Sequence, residues 1–213
     1  MKIEYRDEDF KYISDPETHK KKSRWYKHFL AHGKLKIREQ YHSDALFALH
    51  YYLEPKDNET ELLEKYRNIP ALEILSFRTR NAYGDLWVET VKYYDFDSNT
   101  FSNLIIREIY DARHFPIAWE CIDPGLPETD TFHYQLSKSY YNTDSYLNGE
   151  YFDSRFHSGR FTDIEHFPQG MDTDSQDLER GIIGIQAEQL MQRMKILPKM
   201  RTWYVNNEFL PEL

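Results

Sequence analysis

Ser23-Arg-Trp-Tyr-Lys-His-Phe-Leu-Ala-His-Gly33 and the residues after it, Lys34-Leu-Lys-Ile-Arg-Glu-Gln-Tyr-His-Ser-Asp-Ala-Leu-Phe-Ala-Leu-His-Tyr-Tyr-Leu53, are the stretch on which the fold class turns. Its apolar spacing reads as helical. Ser23 is placed to cap a short helix through Trp25, Phe29 and Leu30, with Gly33 as its stop. A longer helix comes next, from about Leu35 to Leu53, in which Ile37, Tyr41, Leu46, Leu49 and Leu53 approximate one stripe, and Pro55 ends it. A third short helix is expected over Glu59 to Tyr66, before Pro70.

Beyond Pro70 the period changes. Leu72 to Thr79 and Leu86 to Tyr94 are rich in β-branched and aromatic residues, and the connector Arg80-Asn-Ala-Tyr-Gly-Asp85 carries turn chemistry, which predicts a hairpin. Leu104 to Tyr110 and Ile117 to Ile122, around Asp111-Ala-Arg-His-Phe-Pro116, predict a second. Residues 123–175 lose periodicity under Pro124-Gly125, Pro127, Asn148-Gly149, Ser158-Gly159 and Pro168-Gln-Gly170. Asp174 or Ser175 is then placed to cap a C-terminal helix running to Leu197 with Pro198 as its stop; Ile183, Ala187, Leu190, Met194 and Leu197 line one face of it. The expected fold is therefore α+β in one domain spanning 1–213: N-terminal helices, a central four-stranded antiparallel meander, a long irregular acidic and aromatic segment, and a C-terminal helix.

Composition sets the outer limits. In a chain of 213 residues, 40% hydrophobic and 16% aromatic residues supply a sizeable core. No apolar run reaches the length of a membrane helix, and the first residues are charged where a signal peptide is apolar, so a cytoplasmic protein without a membrane partner is expected. The one cysteine, Cys121, makes no intrachain disulfide and lies in a strand-like alternation with Trp119, which reads as a buried structural thiol.

Charge is the most informative property. Residues 123–179 hold twelve acids against three bases, a balance of −9, which equals the net charge of the whole chain. The remainder is neutral. Direct nucleic-acid binding, which needs an accumulated basic surface, is not expected, and a basic protein partner is. The run Lys20-Lys-Lys-Ser-Arg24 is preceded by Asp15 and Glu17 and reads as a solvated face.

Motifs that would name a reaction are missing: no Gly-x-x-x-x-Gly-Lys, Gly-x-Gly-x-x-Gly or Gly-x-Ser-x-Gly string occurs. His28 and His32, four apart, would share a helix face, but no glutamate lies between them. Asp153, His157, Asp163 and His166 are the other cluster able to offer mixed oxygen and nitrogen ligands or an acid/base set. Neither has a recognised metal signature, and no cofactor or metal is expected.

Residues 132–167 instead carry five tyrosines and five phenylalanines among Ser, Asn, Asp and Gly. Tyrosine set in small polar residues is the composition of adaptable binding loops, and the alternative is that these rings pack inward. The partner-binding residues expected from this segment are Asp130, Tyr140, Tyr141, Asp144, Tyr146, Glu150, Tyr151 and Asp153. The function they point to is inhibition or regulation of a basic protein, of the kind by which an immunity protein neutralises a toxin. The alternative is a metal-assisted hydrolase using His157, His166 and the carboxylates of 153–166.

Overall fold

The computed structural model describes residues 1–7, 11–14, 23–142, 150–168 and 179–212. These form fourteen strands and three short helices, so the fold is mainly β and the α+β expectation is corrected. The strands are β1 (Lys2–Asp7), β2 (Tyr12–Ile13), β3 (Arg24–Ala31), β4 (Lys34–His42), β5 (Ala45–Tyr52), β6 (Ile74–Tyr83), β7 (Leu86–Asp95), β8 (Thr100–Phe101), β9 (Ile105–Tyr110), β10 (Pro116–Ile122), β11 (Tyr134–Tyr141), β12 (Tyr151–His157), β13 (Arg160–Phe167) and β14 (Glu179–Ile182). The helices are α1 (Glu59–Tyr66), α2 (Gly184–Arg193) and α3 (Pro198–Val205). No helix among the described residues is long and apolar enough to cross a membrane.

The two expected N-terminal helices are strands β3, β4 and β5, and the reason lies in the turns. His32 and Gly33 have φ of +50° and +78°, between the paired residues Ala31 and Lys34. Two successive positive φ values make a two-residue hairpin loop whose twist matches the flanking strands. Ser43-Asp44 closes the next hairpin between His42 and Ala45. Between these turns β4 alternates with period two: Leu35, Ile37 and Tyr41 share a parity, while Lys34, Lys36, Arg38 and Gln40 hold the other. Residues four apart coincide in a strand as well as in a helix, which is why Ile37 and Tyr41 fit both patterns.

The chain falls into two compact units, Met1–Asn81 with Glu89–Ser102, and Ala82–Val88 with Asn103–Leu213. In the first, β1, β3, β4 and β5 are antiparallel neighbours, and β5 pairs with β6 in parallel. A parallel pair needs a crossover, and α1 lies within it. Asn58 caps α1, its side-chain oxygen accepting from the Thr60 and Glu61 amides, and Glu59 and Glu61 sit in the first turn where the helix dipole favours acid. The helix brings Leu62, Leu63 and Tyr66 onto Leu49, Tyr51, Leu75 and Phe77.

The other parity of these strands carries a polar row. Glu4 pairs with His28, His28 with Arg38, Arg38 with His50, and His50 with Ser76, so five polar side chains cross five strands at matched positions. His50 Nδ1 lies 2.7 Å from Ser76 Oγ. Burial, with the charges of Arg78 and Arg38, holds His50 well below the usual histidine range and keeps it neutral. Beside the row, the fully buried Glu89 accepts from Arg78 at 2.8 Å and also pairs with Arg80.

In the second unit β9 to β14 are antiparallel neighbours in chain order. The segment 123–175 is therefore largely strand within its described part, contrary to the irregular reading. One face holds Ile109, Ala118, Leu136, Phe152 and Ile164 under Leu190, Met194, Trp203 and Tyr204. Lys138, paired with Ala118 on one side and Ser154 on the other, stands in the middle of this apolar face and is fully buried. Its ammonium donates to the Trp203 carbonyl, to the Asn206 carbonyl at 2.8 Å and to Asn206 Oδ1 at 3.1 Å. Three donors thus meet three acceptors at the C-terminal end of α3, where the helix dipole favours a cation.

The long C-terminal helix is also corrected: Ser175 lies outside the described residues, β14 occupies 179–182, and the helical part is broken in two. The break is a Schellman turn, in which the Ile196 amide donates to Met191 O and the Lys195 amide to Gln192 O, with Lys195 at φ +60°. Pro198, expected as a stop, is the first residue of α3, where its missing N–H costs nothing. Lys195→Gly is expected to stabilise the protein by about 1 kcal/mol by relieving the left-handed backbone, read as a higher urea midpoint at unchanged slope.

Candidate binding loop and the acidic segment

Among the described residues, the most exposed feature of the acidic segment is the connection between β10 and β11. Ile122 pairs with Tyr134 and closes the base of loop 123–133. Within it the Asp123 amide donates to His133 O at 2.8 Å, the Asp130 amide to Pro127 O at 2.8 Å and the His133 amide to Asp130 O at 3.1 Å. Asp123 Oδ1 accepts from the Gly125 amide at 2.9 Å, Asp130 Oδ1 from the Phe132 amide at 2.8 Å, and His133 Nδ1 donates to Leu126 O at 2.9 Å. Pro124 and Pro127 fix two further φ angles. The backbone is thus held by its own bonds, the way aspartates order turns.

What this framework presents is chemically simple. Phe132 is 66% exposed, Glu128 is exposed, and Asp123 and Asp130 are half-buried. The loop carries these three acids and no lysine or arginine. A large ring held clear of the core by a braced backbone has already given up much of the entropy that binding would otherwise cost.

Among the described residues, most of the remaining acids and tyrosines of the segment make contacts inside the protein. Tyr141 and Tyr151 are 5% and 3% exposed and pack with Phe115 and Phe167. Tyr140 lies against Phe152 and Tyr204, its hydroxyl donating to Met194 O at 3.2 Å. Glu150 sits 3.0 Å from His166 Nε2 and 3.3 Å from Arg193. Glu165 is held between Arg155 and Arg180. Asp153 accepts from Ser139 Oγ, and burial pushes its carboxyl above the usual range against the lowering effect of that bond. Of the eight expected partner-binding residues, then, Asp130 stands in the exposed loop, Tyr140, Tyr141, Glu150, Tyr151 and Asp153 serve internal contacts, and Asp144 and Tyr146 lie outside the described residues.

The histidine clusters are not assembled. His28 lies in β3 and His32 in the turn after it, and a strand advances about 3.3 Å per residue, so the helix-face pairing is lost. Asp163 and His166 have opposite parity on β13, while His157 pairs with Arg160 at the exposed hairpin end. No group of three metal-capable side chains occurs among the described residues. Cys121 is buried, and burial raises its thiol pKa.

In the sequence Phe132 is one aromatic among the ten of its segment, with nothing in composition to separate it from the others. The signal that singles it out is local: it lies two residues before β11, behind Pro124-Gly125 and Pro127, between Thr131 and His133. No protein-family model, curated protein or solved structure matches this chain.

Proposed function

We propose that this chain is a cytoplasmic protein-binding protein that holds a basic partner through loop 123–133 and inhibits or regulates it stoichiometrically, in the manner of an immunity protein covering a toxin. The observation that carries the reading is Phe132, exposed on a self-braced loop among carboxylates. Interfaces draw most of their energy from a few buried aromatic anchors, and a charged rim sets partner choice and association rate. The local balance of −9 over 123–179 adds a long-range field of the same sign. The single buried cysteine is compatible with a reducing compartment.

The test compares tagged wild type with a Phe132→Ala, Glu128→Lys, Asp130→Lys variant, each incubated with native cell extract at low salt, with mass spectrometry of the retained proteins. One near-stoichiometric basic protein, present with wild type and lost with the variant, is the expected result. Identical retention by both proteins would remove the loop as the binding surface. With the partner in hand, Phe132→Ala alone is expected to weaken binding by about 2 kcal/mol, roughly thirtyfold.

A further inference from the structure

A second exposed apolar surface lies in the same unit and has the opposite charge. Helices α2 and α3 with β13 enclose a cleft of about 490 Å³, lined by Phe161, Ala187, Met191 and Val205 and by the ion pair of Glu188 and Arg201. Its volume is that of a site for a few bulky groups. Next in the chain to its lining residues Gly184 and Pro198 come large aliphatic side chains left in solvent: Ile183, Ile185 and Leu197 are 55%, 77% and 61% exposed. Exposed aliphatics grouped at a cleft are the mark of an interaction site, whereas scattered ones are not.

Charge decides what kind of partner fits. Residues 183–205 carry Arg193, Lys195, Lys199 and Arg201 against Glu188, within a chain of −9; Arg193 pairs with Glu150 and Arg201 with Glu188, so Lys195 and Lys199 carry the local positive surplus. Among the described residues neither Lys195 nor Lys199, both exposed, pairs with a carboxylate. Arg201 donates from Nε to Ile196 O at 2.8 Å and from Nη1 to Glu188 at 2.7 Å, which aims its guanidinium along the cleft wall. Lys195 precedes Leu197 by two residues and Lys199 follows it by two, so basic and apolar residues alternate along the chain from the end of α2 into α3.

We infer that the α2–α3 cleft is a docking site for a short acidic protein segment carrying a bulky apolar anchor, separate from the loop that takes the basic partner. The anchor enters between Met191 and Val205, Ile185 and Leu197 cover it, and the segment's carboxylates face Lys195 and Lys199. Helix grooves read a partner in this way, with apolar anchors for affinity and charges for specificity. The cleft shares no residue with loop 123–133, so its occupancy does not depend on that loop holding a partner.

The probe is a random short-peptide library displayed on phage and selected on the full-length protein, with enriched peptides then synthesised and titrated by fluorescence anisotropy. Enriched peptides are expected to combine several Asp or Glu with one Leu, Met, Phe or Trp. Their affinity is expected to fall at least tenfold for Ile185→Asp and again at least tenfold for Lys195→Glu with Lys199→Glu. These side chains are exposed, so the fold should persist, and an unchanged thermal midpoint checks that it does. Should Ile185→Asp alter that midpoint, Leu197→Ser replaces it with the same expected loss. Enrichment of peptides without acids, equal binding to the variants, or no enrichment would each overturn the inference.

Discussion

Glu89→Gln is expected to cost about 3–5 kcal/mol of stability, because it removes the shared anion of a buried ion pair. Glu89 is fully buried and its carboxylate is shared by Arg78, itself 3% exposed, and Arg80. The glutamine keeps the shape and removes the charge, which leaves two guanidiniums in a buried site without the anion that offsets them. A loss of this size is a large part of the total stability of an ordinary domain. Urea unfolding at pH 7 reads it directly.

The same residue predicts an acid limb. Burial alone would raise the Glu89 pKa, but the charges of Arg78, Arg80 and Arg38 outweigh it and hold the carboxyl below its ordinary value. A group with a depressed folded pKa adds stability above its unfolded value and loses it as the pH falls through the folded one. Wild type should therefore lose stability below about pH 4, and Glu89→Gln should show a flatter curve there. A parallel pair of curves would mean that folding does not depress the Glu89 pKa.

Lys138→Met is the second large effect, about 2 kcal/mol at neutral pH, because the Trp203 and Asn206 carbonyls lose the ammonium that caps them. Burial pushes Lys138 from 10.5 down to about 7, with the charge of Glu208 opposing. The unfolded chain then binds the extra proton between about pH 7 and pH 10.5, so wild-type stability rises with pH across that window, by at most ~1.4 kcal/mol per pH unit. The helix-end carbonyls favour the ammonium, so the slope should fall short of that limit. In Lys138→Met the rise should vanish, and the deficit relative to wild type should widen as the pH is raised. Chemical denaturation at several pH values from about 7 to about 9.5 gives both curves.

How much of this was legible in the sequence depended on whether a segment's turns and periods agreed. Helix α1 was, because Asn58, Glu59 and Glu61 supply cap and dipole chemistry ahead of a short apolar run. Strands β6, β7, β9 and β10 were, through their β-branched and aromatic content. Residues 23–53 were not, because an even spacing of four satisfies both periods, and His32-Gly33 serves equally as a helix stop or as a hairpin turn, depending on the residues after it. The period-two run from Lys34 to Tyr41 would have decided for strands.

The acidic segment misled for a different reason. Its glycine and proline punctuation marks loops, but Ser158-Gly159, at φ +48° and +70°, is a two-residue hairpin turn between β12 and β13. The tyrosines were visible and their direction was not: Tyr141 and Tyr151 alternate inward on strands that a loop reading dissolves. Lys138 carries no sequence signal at all, since its first acceptor is a backbone atom 65 residues away.

The most direct test of loop 123–133 as the partner surface is the salt dependence of the association rate between the captured partner and this protein, wild type against Glu128→Lys. Binding through the loop predicts a rate that falls steeply with salt for wild type and a slower, flatter one for the variant, with both proteins equally stable. Superimposable salt profiles would contradict it, because loop 123–133 would then contribute no field to the encounter.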